Sequence, residues 1–499
     1  MVAKPEERTR VKTEAATTEP KSLHSFIHEV EERLPGEVVY IAQQVDPAHF
    51  DAAAIMSKMY DLKKFPITVF ERGLNLRGQV SDVRLVLNAE ISQGKTQIAL
   101  GVPLDMDRTR MGEECYKREE HRIKPVVISR AEAPVKEIVK IGDEADLTEF
   151  PIMRHHYMDG GPYLDMASIG KDYETGVYNT SYHRMEVKGP RLTGYYMSPR
   201  HMWKIFKGYE ERGLDCPCVY VMGHHPAFNM GACYKGPFDV DEYDVIGAYL
   251  QEPLRLVASE TWGEDFLVPA DAEIIVEGVL KAGQRITEAP FGEAPGYLGP
   301  QRYVNAARFE VTAITRRRDA LMQSIITPEG DKPWLDLARE AAYLRRCREA
   351  VPTVKAVCKG GKHSHYAIYI SMKKTAEGEQ GRAAAAALTF DHSKIVFVFD
   401  EDIDVFNPTE ILWAFATRCQ PHRDISILRP MMLGNMLDPS LEDEITTSAM
   451  IIDCTRPFDK PYSPVSKCPD DALARINLAD YVPKQVLDAI PVDRTTYFA

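Results

Sequence analysis

Long apolar runs are missing from this 499-residue chain: no stretch of about eighteen apolar residues occurs, so a membrane span is not expected. The first 21 residues lack the apolar core of an export signal. Thr, Glu, Lys and Pro dominate residues 1–21, which read as a disordered tail. Positive charge is also short. Lys and Arg total 61 against 74 Asp and Glu, a net charge of −13, which argues against a broad phosphate-binding face for nucleic acid while leaving room for local anion sites. The nine cysteines are scattered, and the one close pair, Cys216-Pro217-Cys218, lacks the second pair that a zinc ribbon or finger needs. An odd cysteine count without an export signal points to a reducing compartment, so a cytoplasmic location is the expectation. There is no internal repeat, and the low-complexity run from Ala383 to Ala387 is short.

What is present is an ordinary globular composition, 44% hydrophobic and 27% charged. The length exceeds what one core usually organises, so two or three domains are expected. Ser22 is placed to cap a helix on which Leu23, Phe26, Ile27, Val30 and Leu34 recur at helical spacing, ended by Pro35-Gly36. A strand over 37–41 follows, and apolar runs then alternate with helical patterns, giving an N-terminal α/β domain over 22–125.

Residues 126–330 differ in texture. Short β-type runs such as 273–277 and 309–313 are separated by Gly and Pro corners, which suits a barrel or sandwich better than a doubly wound sheet. From 331 to 499 the pattern returns to α/β. A helix follows Trp334, a strand covers 394–399, the acidic turn Asp400-Glu401-Asp402 comes next, and a helix starts near Pro408. Residues 432–436 show no usable period. The tail reads as one helix over 472–481 with an extended end.

Three segments carry groups suited to chemistry. In the first, Glu288 and Glu293 flank the turn Pro290-Phe291-Gly292, which can fold two carboxylates toward one cavity. Paired carboxylates push each other's proton affinities apart, and burial raises at least one, so one can donate a proton while the other stays ionised. Read alone, two glutamates beside a turn are more often solvated. In the second segment Asn179, Ser181 and His183 alternate along a strand, offering amide, hydroxyl and imidazole groups to a phosphate or a hard cation. Arg184 points the other way and can clamp a carboxylate. The plainer reading there is a polar outer strand face. In the third, Arg200 and His201 open an amphipathic helix, whose N-terminus favours phosphate, although a lone His there is more often a capping residue.

In this order, these segments resemble the UbiD-like decarboxylases, including the ferulate decarboxylase branch. The motifs that carry the resemblance are Gly160-Gly161-Pro162-Tyr163, Glu174 to Asn179, Leu267 to Gly278 and Pro290 to Glu293. The likeness is looser through Asp402-Ile403-Asp404 and Trp413 to Cys419. It implies an N-terminal α/β domain, a central split β-barrel that binds flavin over 126–330, and a C-terminal α/β oligomerisation domain over 331–499. It also implies reversible, non-oxidative decarboxylation of an aromatic, heteroaromatic or α,β-unsaturated carboxylic acid on prenylated FMN. Glu293 stands at the family's proton-donor position, with Arg184 and Glu288 as its supporting pair. Asn179, Ser181, Tyr182, His183, Arg184, Arg200, His201 and Lys394 fall where the family lines its cofactor.

The family commonly bridges the flavin phosphate to Mn2+ or Mg2+ through Asn, His and Glu. Asn179 and His201 match the first two, and Arg255 aligns at the carboxylate position. Either the Arg255 guanidinium replaces the metal, or Glu252 or Glu260 supplies the ligand. Whether a potassium ion accompanies the cofactor stays open at this point. Ala294, after the donor position, leaves room for a bulky acid. The implied partners are the acid and CO2, a flavin prenyltransferase that supplies the cofactor, and further copies of the chain in a homodimer or homohexamer. Two other readings remain at this point: an FMN-dependent split-barrel oxidoreductase, which would need no paired glutamates, and a non-catalytic paralogue.

Overall fold

The computed structural model describes residues 20–490 apart from Ile91, 300–303, 327–331, 360–364, 391–392, 434–436, 442–445, 460 and 467. The proposed disordered tail, 1–21, therefore lies almost wholly outside the described residues, as do 434–436 of the aperiodic stretch. The described residues form mixed α/β structure in two compact units. The first comprises the chain up to Leu104, His121–Ala289 and Tyr303–Ile326; the second comprises Asp105–Glu120, Pro290–Arg302 and Thr327 onward.

The first unit opens with the helix Leu23–Arg33. Ser22 caps it through a reciprocal capping box with Ser25, and Leu23, Phe26, Ile27 and Val30 form its buried face, as the spacing predicts. That face covers a four-stranded sheet ordered Val38–Val45, Ile67–Gly73, Arg84–Leu87, Leu321–Gln323. The fourth strand arrives from more than two hundred residues later in the chain, a pairing that local periodicity cannot show.

The body of this unit is a nine-stranded sheet in which every pairing is antiparallel. Its two longest strands, Ile274–Glu288 and Val304–Arg316, run side by side through its middle. Both are longer than the five-residue segments that β-branched runs alone predict. A register shift between Leu280 and Arg285, with Gly283 at φ 68°, bends the first of them before it reaches Glu288. Met185, Tyr195, Tyr220, Val276 and Phe309 are among the fully buried residues of its core. The helix His201–Glu210 packs Met202, Ile205 and Phe206 into that core. It does so over Gly170, where a Cβ would meet Met202 Sδ at 2.5 Å. A side chain there would lift the helix that carries His201.

The second unit holds a five-stranded sheet ordered Val354–Lys359, Ala367–Met372, Ile395–Asp400, Thr446–Cys454, Ile425–Leu433. The inner pairings are parallel and the two outer ones antiparallel. The acidic turn after Ile395–Asp400 has a structural use. Arg418, at the end of the helix Pro408–Arg418, donates to Asp400 at 3.0 Å and to Asp402 at 2.9 Å, tying helix to strand. The tail is two short helices, Asp470–Arg475 and Lys484–Ala489, rather than the single helix its pattern predicts. The first ends at Arg475, and Asn477 starts a separate 3-10 turn, Leu478–Asp480, by accepting from the Ala479 N–H, so the expected helix is interrupted within its span.

Candidate active site

Arg184 and Glu288 meet in the first unit. Arg184 follows the strand Tyr178–Tyr182, and Glu288 is the last residue of Ile274–Glu288. Arg184 Nε donates to Glu288 Oε1 at 3.1 Å, and both side chains are buried. The ring of Tyr196 lies under the guanidinium, 4.1 Å from its central carbon. Burying an ion pair costs solvation that only good geometry and further polar partners recover. An aromatic face over a desolvated guanidinium recovers part of it.

The backbone just beyond Glu288 is clamped on three sides. Ala289 N–H donates to Glu186 Oε2 at 2.8 Å, its carbonyl accepts from Tyr163 OH at 2.8 Å, and Lys188 pairs with the other Glu186 oxygen at 2.6 Å. Gly160 closes the third side, because a Cβ there would fall 1.8 Å from Ala289 Cβ. The Gly160-Gly161-Pro162-Tyr163 motif thus fixes the residue next to Glu288. Burial, reinforced by the Glu288 and Glu186 carboxylates, holds the Tyr163 phenol protonated. Sequence reading did not assign Glu186, Tyr163 or Tyr196.

A second cluster forms around Asn179. Asn179 Nδ2 donates to Glu242 Oε1 at 2.8 Å, and Thr180 donates to Glu242 Oε2 from its backbone N–H at 2.5 Å and its hydroxyl at 2.8 Å. His201 Nδ1 is 3.9 Å from Glu242 Oε1. Glu242 begins the helix Glu242–Leu250 and His201 begins His201–Glu210, so two helix N-termini converge here. Their dipoles favour an ionised carboxylate and a bound anion alike. Asn179 Oδ1 is buried without a hydrogen-bond partner. Among the described residues no group of three His, Cys, Asp or Glu is placed to hold a metal. Asn179, His201 and Glu242 form a mixed set of amide, imidazole and carboxylate, and the orphaned amide oxygen fits a hard cation.

This corrects the Arg255 assignment. Arg255 Nη1 donates to Asp271 at 3.1 Å and its Nη2 to the Glu132 carbonyl at 2.7 Å, on the separate small sheet of Val126–Val127, Arg255–Ser259 and Gly263–Pro269. Glu252 and Glu260 are engaged elsewhere, with Lys21 and with Arg130 and Lys136. The carboxylate beside Asn179 and His201 is Glu242. Cys216 and Cys218 are buried, and burial pushes their thiols up, which suits core residues rather than metal ligands.

Ser181 and His183 share a side of the chain as the alternation predicts, with Ser181 Oγ 3.2 Å from His183 Nδ1. Tyr182, between them, is half-buried, and Arg200 is the N-cap residue of the helix that His201 begins. The remaining two assigned residues belong to the second unit. Glu293 is half-buried on a hairpin that pairs Phe291–Gly292 with Leu298–Gly299, turned by Gly296 at φ 85°. Lys394 donates to Asp438 at 2.7 Å and Ser440 at 2.5 Å.

Comparison with known proteins gives a consistent picture. Residues 126–330 match the UbiD profile described as 3-octaprenyl-4-hydroxybenzoate carboxy-lyase Rift-related domain, and residues 334–454 match the C-terminal domain of the same carboxy-lyase. The anhydromevalonate phosphate decarboxylase of Methanothermobacter thermautotrophicus is 34% identical over 402 residues, covering 78% of this chain and 92% of that one. The phenolic acid decarboxylase of Bacillus subtilis is 28% identical over 440 residues, 85% of this chain and 90% of its own. The UbiD-class enzyme HmfF from Pelotomaculum thermopropionicum, solved in complex with FMN, superposes with a TM-score of 0.82 at 35% identity over 92% of this chain and all of its own (100%). An evolved dimeric form of HmfF, solved with prFMN, gives 0.81 at 33% identity over 93% of this chain and 100% of its own. The chain belongs to the UbiD family of carboxy-lyases.

Proposed function

We propose that this protein catalyses the reversible, non-oxidative decarboxylation of an aromatic, heteroaromatic or α,β-unsaturated carboxylic acid with prenylated FMN as cofactor. The observation that carries the reading is the buried Arg184–Glu288 pair, clamped through Ala289, in a chain whose relatives are decarboxylases. When bound, the prenylated flavin supplies the electron sink that loss of CO2 from an sp2 carbon requires.

The chain's own residues do the rest. Arg184 receives the substrate carboxylate, because a guanidinium offers paired donors in carboxylate geometry. Glu288 fixes that guanidinium and keeps its charge balanced while the substrate is absent. Glu293, five residues along the chain, returns a proton to the carbon that loses CO2. Ser181, Tyr182, His183, Arg200 and Lys394 are the further cofactor contacts in this reading. The flavin belongs in the central sheet region, as a split barrel.

Asn179, His201 and Glu242 would hold a Mn2+ or Mg2+ ion against the flavin phosphate. The buried, unpartnered Asn179 Oδ1 and the carboxylate at a helix N-terminus support this set. The protein is expected to assemble as a homodimer or homohexamer. The tail supports self-association, since Leu473, Ile476, Leu478, Tyr481, Val486 and Ile490 all stand exposed along it. Among the described residues no helix is long and apolar enough to cross a membrane.

The test is the mass and absorbance of the cofactor released from protein co-expressed with a flavin prenyltransferase, with metal analysis of the same sample. A flavin heavier than FMN by the prenyl unit, with stoichiometric divalent metal, is the expected result. Plain FMN that turns over in redox assays, or no flavin on folded protein, would overturn the proposal.

A further inference from the structure

A cluster of hydroxyls surrounds one nitrogen of His183. Tyr195 OH lies 2.8 Å, Ser168 Oγ 3.0 Å and Ser181 Oγ 3.2 Å from His183 Nδ1. Ser168 Oγ donates to the Ser181 carbonyl at 3.0 Å and lies 2.6 Å from Tyr195 OH. Ser168 and Tyr195 are fully buried, and the Tyr195 ring tilts against the imidazole with centroids 4.9 Å apart. Tyr220 OH donates to the His183 carbonyl at 2.7 Å, so the backbone is pinned as well.

Two proton arrangements can satisfy such a cluster. If Nδ1 carried the proton it would donate to one oxygen, and the Ser181 hydroxyl would be left without an acceptor in the protein. If Nδ1 is the acceptor, its one lone pair takes the Tyr195 proton at 2.8 Å while Ser168 donates to the carbonyl, and the Ser181 hydroxyl is again left without a protein acceptor. The two therefore satisfy equally many hydroxyls, and only the second pairs the cluster's most acidic hydroxyl with its best acceptor. Tyr195 stays a phenol under it, as burial holds its proton affinity far above the ordinary value.

The consequence falls on the other nitrogen. With Nδ1 committed, the neutral ring carries its proton on Nε2, which makes no hydrogen bond within the described protein. The ring is half-buried, and the charged side chains that act on it are Lys235, Arg184 and Arg200, all donors without an acceptor among them. Burial first, and then these cations, keep the imidazole neutral, with its proton affinity lowered to about 3. A donor among donors calls for an acceptor-rich ligand.

We infer that Ser168 and Tyr195 lock His183 as a neutral Nε2–H donor aimed at an acceptor atom of the flavin. Ser168 and Tyr195 are then positioning residues, and His183 is the contact. This rests on the flavin reading above and adds to it the tautomer and the two buried hydroxyls that set it. A neutral hydrogen bond contributes about 0.5–1.5 kcal/mol, so its loss should weaken binding by roughly two- to tenfold.

The experiment is a double-mutant cycle read by FMN binding, followed through quenching of flavin fluorescence on the full chain. His183→Phe should bind FMN roughly five- to tenfold more weakly, while His183→Gln, whose amide reproduces the Nε2 donor, should stay within about twofold. Tyr195→Phe should cost about threefold beside His183 and nothing further beside His183→Gln. A merely structural Tyr195 would lose the same factor in both backgrounds, and that result overturns the inference. So does wild-type affinity in a folded His183→Phe variant. If that variant does not fold, the cycle built on His183→Gln still decides. A wild-type chain that binds no FMN would overturn the flavin reading and the ligand assignment together. Nitrogen-15 NMR of labelled histidine would then judge the lock separately, an Nδ1–H ring contradicting it.

Discussion

Glu288 and Glu293 are five residues apart in one motif, yet they are held in opposite ways. Glu288 ends a fifteen-residue strand, is fully buried, and faces an arginine that is itself stacked on an aromatic ring. The next residue is fastened through its N–H, its carbonyl and its Cβ. Glu293 is half-buried on a hairpin whose two strands are two residues each, counted to a different compact unit. A ribbon that short has little stability of its own. The difference fits the proposed division of tasks: Glu288 is anchored as a fixed electrostatic support would be, and Glu293 is carried on a light element, as suits the proton donor we propose.

The largest effect that would sharpen this contrast is on turnover. Glu293→Gln should lower the decarboxylation rate by roughly 10²–10⁴-fold, the range for a lost general acid, with urea stability unchanged within about 0.5 kcal/mol. Glu288→Ala should do the reverse in kind. It leaves Arg184 buried without its counter-charge and should cost about 3–5 kcal/mol of the first unit's stability along with activity. Equal stability losses in the two variants would erase the distinction.

Gly160→Ala tests the clamp without touching a charged group. Its methyl has no room beside Ala289, so roughly 1–3 kcal/mol should be lost, and the rate should fall because the residue after Glu288 shifts. A variant as stable and active as wild type would show the clamp to be dispensable. The smallest effect concerns pH. His224 is buried in the first unit, and burial lowers its proton affinity to about 3. The unfolded chain protonates near the ordinary histidine value while the folded chain does not, so stability should fall as pH drops below about 6.5. His224→Gln should remove about 1 kcal/mol of the loss between pH 6.5 and 5.5, measured by urea titration at each pH.

Much of the fold was legible because local chemistry wrote it. The capping box at Ser22, the helical stripe after it, the acidic turn before Pro408 and the Gly and Pro corners of the central sheet all behave as their residue types dictate. Long-range pairings were not legible. Leu321–Gln323 completes the first sheet from far along the chain, and no pattern near it says so. The same blindness hid Glu242. It sits in an acidic stretch with Asp239, Asp241 and Asp244, and only its contact with Asn179, 63 residues earlier, selects it. Arg255 was the wrong choice because an alignment slip of a dozen or so residues costs nothing in one dimension. Glu288 and Arg184 could be singled out because their neighbours form recognisable motifs, and the two side chains do pair; the three-sided clamp on Ala289 could not be read, since Gly160, Tyr163 and Glu186 converge only when the sheet forms.

The central claim is that Glu293 delivers the proton to a carbon freed by decarboxylation beside Arg184 and Glu288. Its most direct test is CO2 release, with deuterium incorporation from D2O, by cofactor-loaded protein over a panel of aromatic, heteroaromatic and conjugated unsaturated acids. Wild-type protein should release CO2 from at least one acid and place deuterium on the carbon that carried it, while Glu293→Gln with the same cofactor content should do neither at a comparable rate. No CO2 from any acid despite full cofactor loading, or undiminished deuterium incorporation in Glu293→Gln, would contradict the account.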